Sequence, residues 1–498
     1  MDLADRSLWA RLEGMRLPEG FAFGVATAGF QIEGAFNGPG EPRTNWFDRE
    51  ASGRIERSGA ANDSWNRWEE DLDAAAAMGL DWYRLSVEWA RLQPSARSLE
   101  ASEPSWSEEA VERYADILAG ALERGLEPVV TLHHFTHPRW LGLDLWQRPE
   151  APGLFAAYAG EAARRLGDAL AARGRPPIRR YVTLNEPNGL ALGTWQVGMF
   201  PGGGFGRLGA LRRGLDHLMA AHALAYDAVH DVHAERGWPE PAVTTNVYSF
   251  AVYELDRGLV DLLEARRRGV VREGLASHLR DRRADWTEGL AGMAGPHRGL
   301  LQRASDALSR RVAAEDPAGS AAADALYGSP RAQKLDAVAV DVYVPWMAGY
   351  LRAPGHRTAG GRSVSPVRPL WDDPPRPASF EAFVRAAGDH GLPVWILENG
   401  LCSRVRDGVS HPRTDGWTRH RYLAEHLAAV AAAVEAGVPV EAYVHWTLFD
   451  NYEWGSYEPR FGLRGIDRTG PRPRRLALDS MGQDSARAYA EMIGALRG

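Results

Sequence analysis

The chain has 498 residues, 45% of them hydrophobic and 25% charged, which is the composition of a folded globular protein and excludes a disordered or fibrous one. Its net charge is −7 and its basic residues, all arginine except Lys334, are scattered, so nothing marks a nucleic-acid or membrane surface. One cysteine, Cys402, excludes an internal disulfide and every multi-cysteine metal site, and is read as an inert thiol. The start, Met1 to Ser7, lacks the basic and apolar regions of a signal peptide, and no apolar stretch approaches the ~18 residues of a membrane helix. A cytoplasmic, soluble protein is expected, with oligomeric state open to a homo-oligomer. There are 18 Trp against 14 Phe and 15 Tyr, and indole faces suit both cores and the C–H faces of sugars.

Short apolar runs alternate with long amphipathic patterns along the whole chain. The runs predict strands near 21–27, 81–86, 127–134, 179–185, 242–248, 336–343, 393–398 and 441–446. Between them, Ser107 suits the cap of a helix with Glu108 and Glu109 in its first turn and its end at Gly125. A second helix is predicted from about Thr418 to Gly437, where glycine fits the position after the C-cap. Residues 257–333, rich in Arg, Ala and Gly, are too long for one crossover and predict a helical insertion over the barrel as a wall or lid. Residues 353–378 read as an extended loop. Eight strands alternating with helices argue for a single α/β domain over 1–498, a (β/α)8 (TIM) barrel with long βα loops, rather than a doubly wound sheet.

In such a barrel the chemistry collects where strands end. The first run leads into Gln31, the second contains Arg84, and the third ends in His133 and His134. The fourth ends in Asn185-Glu186, the sixth in Asp341 and Tyr343, and the seventh in Glu398-Asn399. The eighth reaches Trp446, with Glu453 and Trp454 beyond. Two strand-end carboxylates are the minimum for cleaving a glycosidic bond, one as acid/base and one as nucleophile or second base. Polar groups and indoles beside them suit a pyranose. Blander readings exist for each residue: a solvated loop glutamate, a structural arginine, a core tryptophan. Adjacent His133 and His134 point to opposite faces and lack an HExxH or cysteine partner, so no metal or other cofactor is expected. Gly204 to Gly209 matches GxGxxG by spacing alone, following Pro201 in a loop and not a strand.

Taken together, these segments resemble glycoside hydrolase family 1, the β-glucosidase and β-glycosidase family, over nearly the whole length. Phe23 to Gly34 resembles its N-terminal signature, Tyr83-Arg84-Leu85-Ser86 its second-strand motif, and Thr183 to Pro187 its acid/base motif. Glu398-Asn399-Gly400 resembles the nucleophile motif, and Trp446 to Trp454 with Arg460-Phe461-Gly462 the sugar-binding segment. The resemblance implies retention, with Glu186 as acid/base and Glu398 as nucleophile. It implies that Arg84 keeps Glu398 ionised, that Tyr343 hydrogen-bonds it, and that Asn185 meets the sugar 2-hydroxyl. Gln31, His134 and Glu453 are implied for outer hydroxyls, Trp446 beneath the ring, and Trp454 and Phe461 around it.

The chain departs from the family pattern in places. Asp341-Val342-Tyr343 stands where Asn-Tyr-Tyr is usual, so a carboxylate replaces an amide; it is expected either to raise the pKa of Glu398 or to meet a cationic substrate group. Phe135 replaces Trp, Leu397 replaces Thr, and the stretch from Trp454 to Phe461 is about one residue short. Glu453-Trp454 differs from the Ser/Lys-bearing stretch of the phospho-sugar branch, which implies an unphosphorylated glycone. The expected activity is hydrolysis of small-molecule β-glucosides, with β-galactosides and β-fucosides as alternatives. Transglycosylation to a sugar or natural-product hydroxyl is the second reading, and a non-catalytic sugar-binding module the third.

Overall fold

The computed structural model describes residues 11–95, 105–293, 311–312, 316–343, 356–358, 361–363, 370–372 and 374–498. The chain start on which the signal-peptide reading rests, and parts of 257–333 and 353–378, lie outside these residues.

Eight parallel strands close a barrel: β1 (Ala22–Ala26), β2 (Trp82–Ser86), β3 (Glu127–Thr131), β4 (Arg180–Asn185), β5 (Ala242–Tyr248), β6 (Val338–Asp341), β7 (Val394–Asn399) and β8 (Val440–Trp446). Each pairs with its sequence neighbours, and β8 returns to pair with β1. All eight fall on the predicted runs. The helices α1 (Ser64–Ala76), α2 (Glu108–Glu123), α3 (Ala151–Ala172), α4 (Leu208–Arg236), α5 (Ala321–Gly328), α6 (Pro377–Gly388), α7 (Arg419–Glu435) and α8 (Ser485–Arg497) lie between and after them. The predicted caps are present: Ser107 Oγ accepts from Ala110 N at 3.2 Å, and Thr418 Oγ1 from Arg421 N at 3.2 Å. Gly125 and Gly437 both take positive φ beyond their helices, as a left-handed stop requires.

Alternation along the strands sorts two cores. Inside the barrel Trp82, Val129, Val182, Ala339, Trp395 and Val444 pack together, while Tyr83, Leu85, Val130, Tyr181 and Ile396 face the helices. Two strands break this alternation at their C-terminal ends. β4 advances three residues from Val182 to Asn185 while β5 advances two, from Thr244 to Asn246. β7 advances two from Ile396 to Glu398 while β6 advances one, from Val340 to Asp341. Against β8, too, β7 carries one residue more, Ile396 to Asn399 against Tyr443 to His445. An extra residue of this kind bends the strand and re-aims the side chains after it. The bulges precede Glu186 and Glu398.

The insertion expected over the barrel is helical, with Arg257–Glu264 and Leu275–Met293 before α5. Its described residues are not a lid. They pack against α4 and α6 on the flank of the barrel, and none lines the cavity at the mouth. Residues 353–378, expected as one extended loop, include a short hairpin, His356–Thr358 with Gly361–Ser363. The GxGxxG-like segment is a loop leading into α4, with Phe205 exposed. Among the described residues no helix is long and apolar enough to cross a membrane.

Candidate active site

A cavity of about 460 Å³ opens at the C-terminal ends of the strands. Glu186, Glu398, Asn185, His134, Tyr343, Trp446, Glu453, Trp454 and Phe461, all singled out above, line it. Arg84, Asp341 and Gln31 do not reach its surface. They are fully buried and do not line it.

Arg84 is the hub of the floor. It sits on the inward face of β2 with no solvent contact, and its five N–H donors have a fixed fork geometry. Nη1 donates to Glu398 Oε1 at 2.6 Å, Nη2 to Asn185 Oδ1 at 2.5 Å, and Nε to Thr131 Oγ1 at 3.2 Å. Glu398 also accepts from the Tyr343 hydroxyl at 2.9 Å through Oε2. Because Asn185 Oδ1 accepts from Arg84 and, at 2.8 Å, from Asn246 Nδ2, its own amide N–H groups must point elsewhere, and Nδ2 lies 3.3 Å from His134 Nε2.

Asn246 on β5 was not foreseen. It carries no motif, and its role appears only where β5 passes between Asn185 and Asp341, with its amide donating to both. Asn399 is likewise a support: it donates to the Val342 carbonyl at 2.5 Å and the Tyr422 hydroxyl at 2.8 Å, and accepts from the Tyr443 hydroxyl at 2.8 Å. Gly400 then brings the chain against Trp446, where a Cβ would stand 2.1 Å from the Trp446 carbonyl oxygen.

Glu186, Asp341 and Glu398 converge. One carboxyl oxygen from each lies within 4.8 Å of the others, and all three residues are buried. Burial pushes Glu186 well above the usual carboxylate range, and the charges of Asp341 and Glu398 push the same way. Burial also raises Glu398, but the Arg84 guanidinium, then the Tyr343 and Arg84 hydrogen bonds, oppose it. The proton therefore favours Glu186. The Asp341 carboxyl stands close to both: its charge helps to raise Glu186, and the Glu398 charge helps to raise Asp341.

The outer part of the site is layered. The His134 ring stacks between Trp446 and Trp454, 5.8 Å from each with planes within 17° and 13°. His133 turns outward instead, edge-on to Trp146 and Phe155, so the clustered histidines do not converge on one point. Glu453 accepts from Trp446 Nε1 at 3.3 Å and Gln31 Nε2 at 3.3 Å, and burial pushes its carboxyl up to about 8. Gln31 Nε2 also donates to the Tyr452 carbonyl at 2.8 Å, which fixes it behind Glu453. Phe461 stands edge-on to Tyr343 at 5.9 Å despite the shortened segment before it. Cys402 lines the cavity with its thiol raised by burial, which leaves it protonated. Phe135, Glu186 and Trp454 all adopt positive φ, a conformation that costs of order 1–3 kcal/mol each and collects where a fold is bent to a task.

The rim is apolar. Leu192, Val197, Met199, Phe200, Phe250 and Trp371 line this side of the cavity, Val197 and Met199 being exposed. Arg49 reaches over from the helix Phe47–Ala51 and clamps the rim, donating to the carbonyls of Gly198, Met199 and Phe200 at 2.9, 2.5 and 2.8 Å.

An eight-stranded barrel with paired carboxylates, a buried arginine on one of them and stacked indoles at its mouth is the equipment of a glycoside hydrolase. Comparison with known proteins bears this out. The sequence profile described as Glycosyl hydrolase family 1 matches residues 14–271 and 380–495, and the unmatched stretch between contains β6 with Asp341 and Tyr343. A bifunctional β-D-glucosidase/β-D-fucosidase of Bifidobacterium breve is 30% identical over 482 residues, covering 91% of this chain and 94% of that protein. A 6-phospho-β-galactosidase of Lacticaseibacillus rhamnosus is 26% identical, also covering 91% of this chain and 94% of that one. The β-glucosidase of Thermotoga maritima in complex with castanospermine shares the fold, with a TM-score of 0.68, 21% identity, and 97% of this chain and 99% of that one covered. The chain belongs to glycosyl hydrolase family 1 and is a hydrolase of its β-glucosidase and β-glycosidase type.

Proposed function

We propose that the protein is a retaining exo-β-glycosidase that hydrolyses terminal, unphosphorylated β-D-glycosides through a covalent glycosyl-enzyme. One observation carries this reading: Glu186 and Glu398 bring carboxyl oxygens within 4.8 Å of each other, and among the described residues only Glu398 of the two is paired with a cation. Retaining enzymes hold their carboxyls ~5–5.5 Å apart, against ~6.5–9.5 Å where a water must fit between. Glu398, oriented by Arg84 and Tyr343, attacks the anomeric carbon as the carboxylate. Glu186 protonates the departing oxygen and later takes the proton of the attacking water. Asn185 presents its amide N–H to the sugar 2-hydroxyl, Trp446 supplies the platform, and Glu453 with His134 binds outer hydroxyls.

The unphosphorylated glycone is supported by the groups at the outer-hydroxyl end. Glu453 occupies the outer-hydroxyl end, and Arg413, the one arginine among the described lining residues, is engaged by Asp415 and the Cys402 carbonyl. The apolar rim supports an aryl or alkyl aglycone. It also favours a second reading, transfer of the glycosyl group to the hydroxyl of an apolar acceptor seated there; a glycoside product formed with added alcohols marks that route.

A panel of aryl β-glycosides, with the product anomer followed by NMR, tests the proposal. The β-anomer is expected first, and Glu398→Gln is expected to lower kcat on the order of 10⁴-fold or more. An α-anomer as first product, or an active Glu398→Gln, overturns the assignment.

A further inference from the structure

Three carboxyls share this floor, yet their counter-charges do not. Arg84 and Tyr343 both serve Glu398. The Asn246 amide donates to Asp341 Oδ2, while Asp341 Oδ1 is buried with no amide or hydroxyl donor against it. Among the described residues no ion pair reaches the Glu186 carboxyl. What Glu186 and Asp341 do have is each other. A carboxyl oxygen of one lies within 4.8 Å of a carboxyl oxygen of the other, both residues are buried, and two ionised carboxylates held so close without a cation repel, which one proton between them relieves.

We infer that Asp341 is a positioning residue for the acid/base, its carboxyl sharing a single proton with Glu186 so that Glu186 stays an acid at higher pH and becomes a stronger base once the proton has left. This rests on the assignment of Glu186 above. The steps balance. As the bond from C1 to the aglycone oxygen breaks and the C1–Glu398 bond forms, the shared proton goes to the departing oxygen. Two facing carboxylates then remain, close together and without a cation of their own. Water gives up a proton to this pair as its oxygen bonds to C1 and the C1–Glu398 bond breaks, and the singly protonated pair is restored.

The surroundings reinforce the pairing. Charged and titratable groups facing the pair are Glu398 from β7, Arg84 from β2, His134 beyond β3, Tyr248 from β5 and Tyr343 beyond β6. Glu453, Arg413, Tyr422 and Cys402 complete the titratable lining. Arg84 is the cation whose charge favours the ionised pair, and it is committed to Glu398 and Asn185, as Arg413 is to Asp415. His134 is held well below its usual value by burial, then by Arg84, and supplies no charge. Burial and the Glu398 charge raise Asp341 as burial, Asp341 and Glu398 raise Glu186.

The test is the pH profile of kcat/KM for Asp341→Asn on phenyl and 2,4-dinitrophenyl β-glycosides. An amide removes the negative neighbour, so the alkaline limb for the phenyl glycoside is expected to move toward acid by about one pH unit or more, an about tenfold loss of kcat/KM above the new limb. No such limb shift is expected for the dinitrophenyl glycoside, whose departure needs no proton. A limb that stays in place with the phenyl glycoside overturns the inference, as does an unmoved limb with altered selectivity for ammonium-bearing glycosides. Should Asp341→Asn not fold, ¹³C-carboxyl NMR of the wild-type enzyme decides: two coupled, well-separated steps support the pair, and two independent steps in the ordinary carboxylate range refute it. A wild-type enzyme inactive on every glycoside in the panel would instead point to failure of the active-site assignment.

Discussion

Gly189 shows how closely one residue can be specified by its neighbour. It lies just after Glu186, and a Cβ there would stand 2.7 Å from Glu186 Oε2 and 3.2 Å from Glu186 Cβ. The contact is with the carboxyl proposed as acid/base, so Gly189→Ala displaces it without opening the core. Its kcat on phenyl β-glycosides is expected to fall about 10- to 100-fold, the scale of a misplacement near 1 Å, and less on dinitrophenyl glycosides. Equal losses on both substrates count against the assignment. At this scale much was legible. A glutamate closing an apolar run cannot lie in a core, and that alone drew Glu186 and Glu398 out of the chain. Gly189 and Asn246 were not legible, since neither belongs to a pattern: the turn that folds the Glu186 side chain back onto Gly189, and the strands that flank Asn246, give them their meaning.

The two bulges set the limit of reading at the scale of elements. Periodicity located all eight strands to within a few residues, and the ends of the apolar runs placed the carboxylates at the ends of β4 and β7. Strict alternation continued through Leu397 would send Glu398 toward the helices. The extra residue on β7 turns it inward, and no residue type announces the insertion. The N-terminal signature holds a similar case. Glu33, within the Phe23–Gly34 motif, forms a buried ion pair with Arg91 at 2.6 Å and accepts from the Tyr114 hydroxyl at 2.8 Å. Arg91 also lies over the rings of Phe36 and Trp65, 4.0 Å from each centroid. The pair ties the turn after β1 to the turn after β2. Arg91→Met leaves Glu33 buried and uncompensated, at a cost of ~3–5 kcal/mol in urea denaturation. Adding Glu33→Gln is expected to recover part of that loss. A single variant as stable as wild type removes the pair from the account of the fold.

Taken whole, the molecule buries two sets of ionisable groups with opposite pH responses. His137 and His222 are pushed down by burial to about 4, and His426 and His445 to about 3. At His222, Thr183 Oγ1 and the Lys334 carbonyl, each at 2.7 Å, meet the two ring nitrogens, and burial outweighs the carbonyl bond. Such histidines contribute stability above pH ~6.5 that is lost as pH falls toward their folded values. Burial raises Glu88 and Asp256 to about 7, and their contribution is full below pH ~4.5 and lost as pH rises toward 7. The slopes oppose between ~4.5 and 6.5, so Tm is expected to be nearly level there. Below ~4.5 the carboxyls have no further effect, the histidines still do, and Tm is expected to drop steeply. A Tm still rising as pH falls below 4.5 contradicts this. One peripheral side chain has a consequence at this same scale. Arg49 holds three successive rim carbonyls, so Gly198, Met199 and Phe200 are tied to one guanidinium and cannot swing apart singly. The mouth of the cavity is therefore gauged from outside, by an arginine that does not line it.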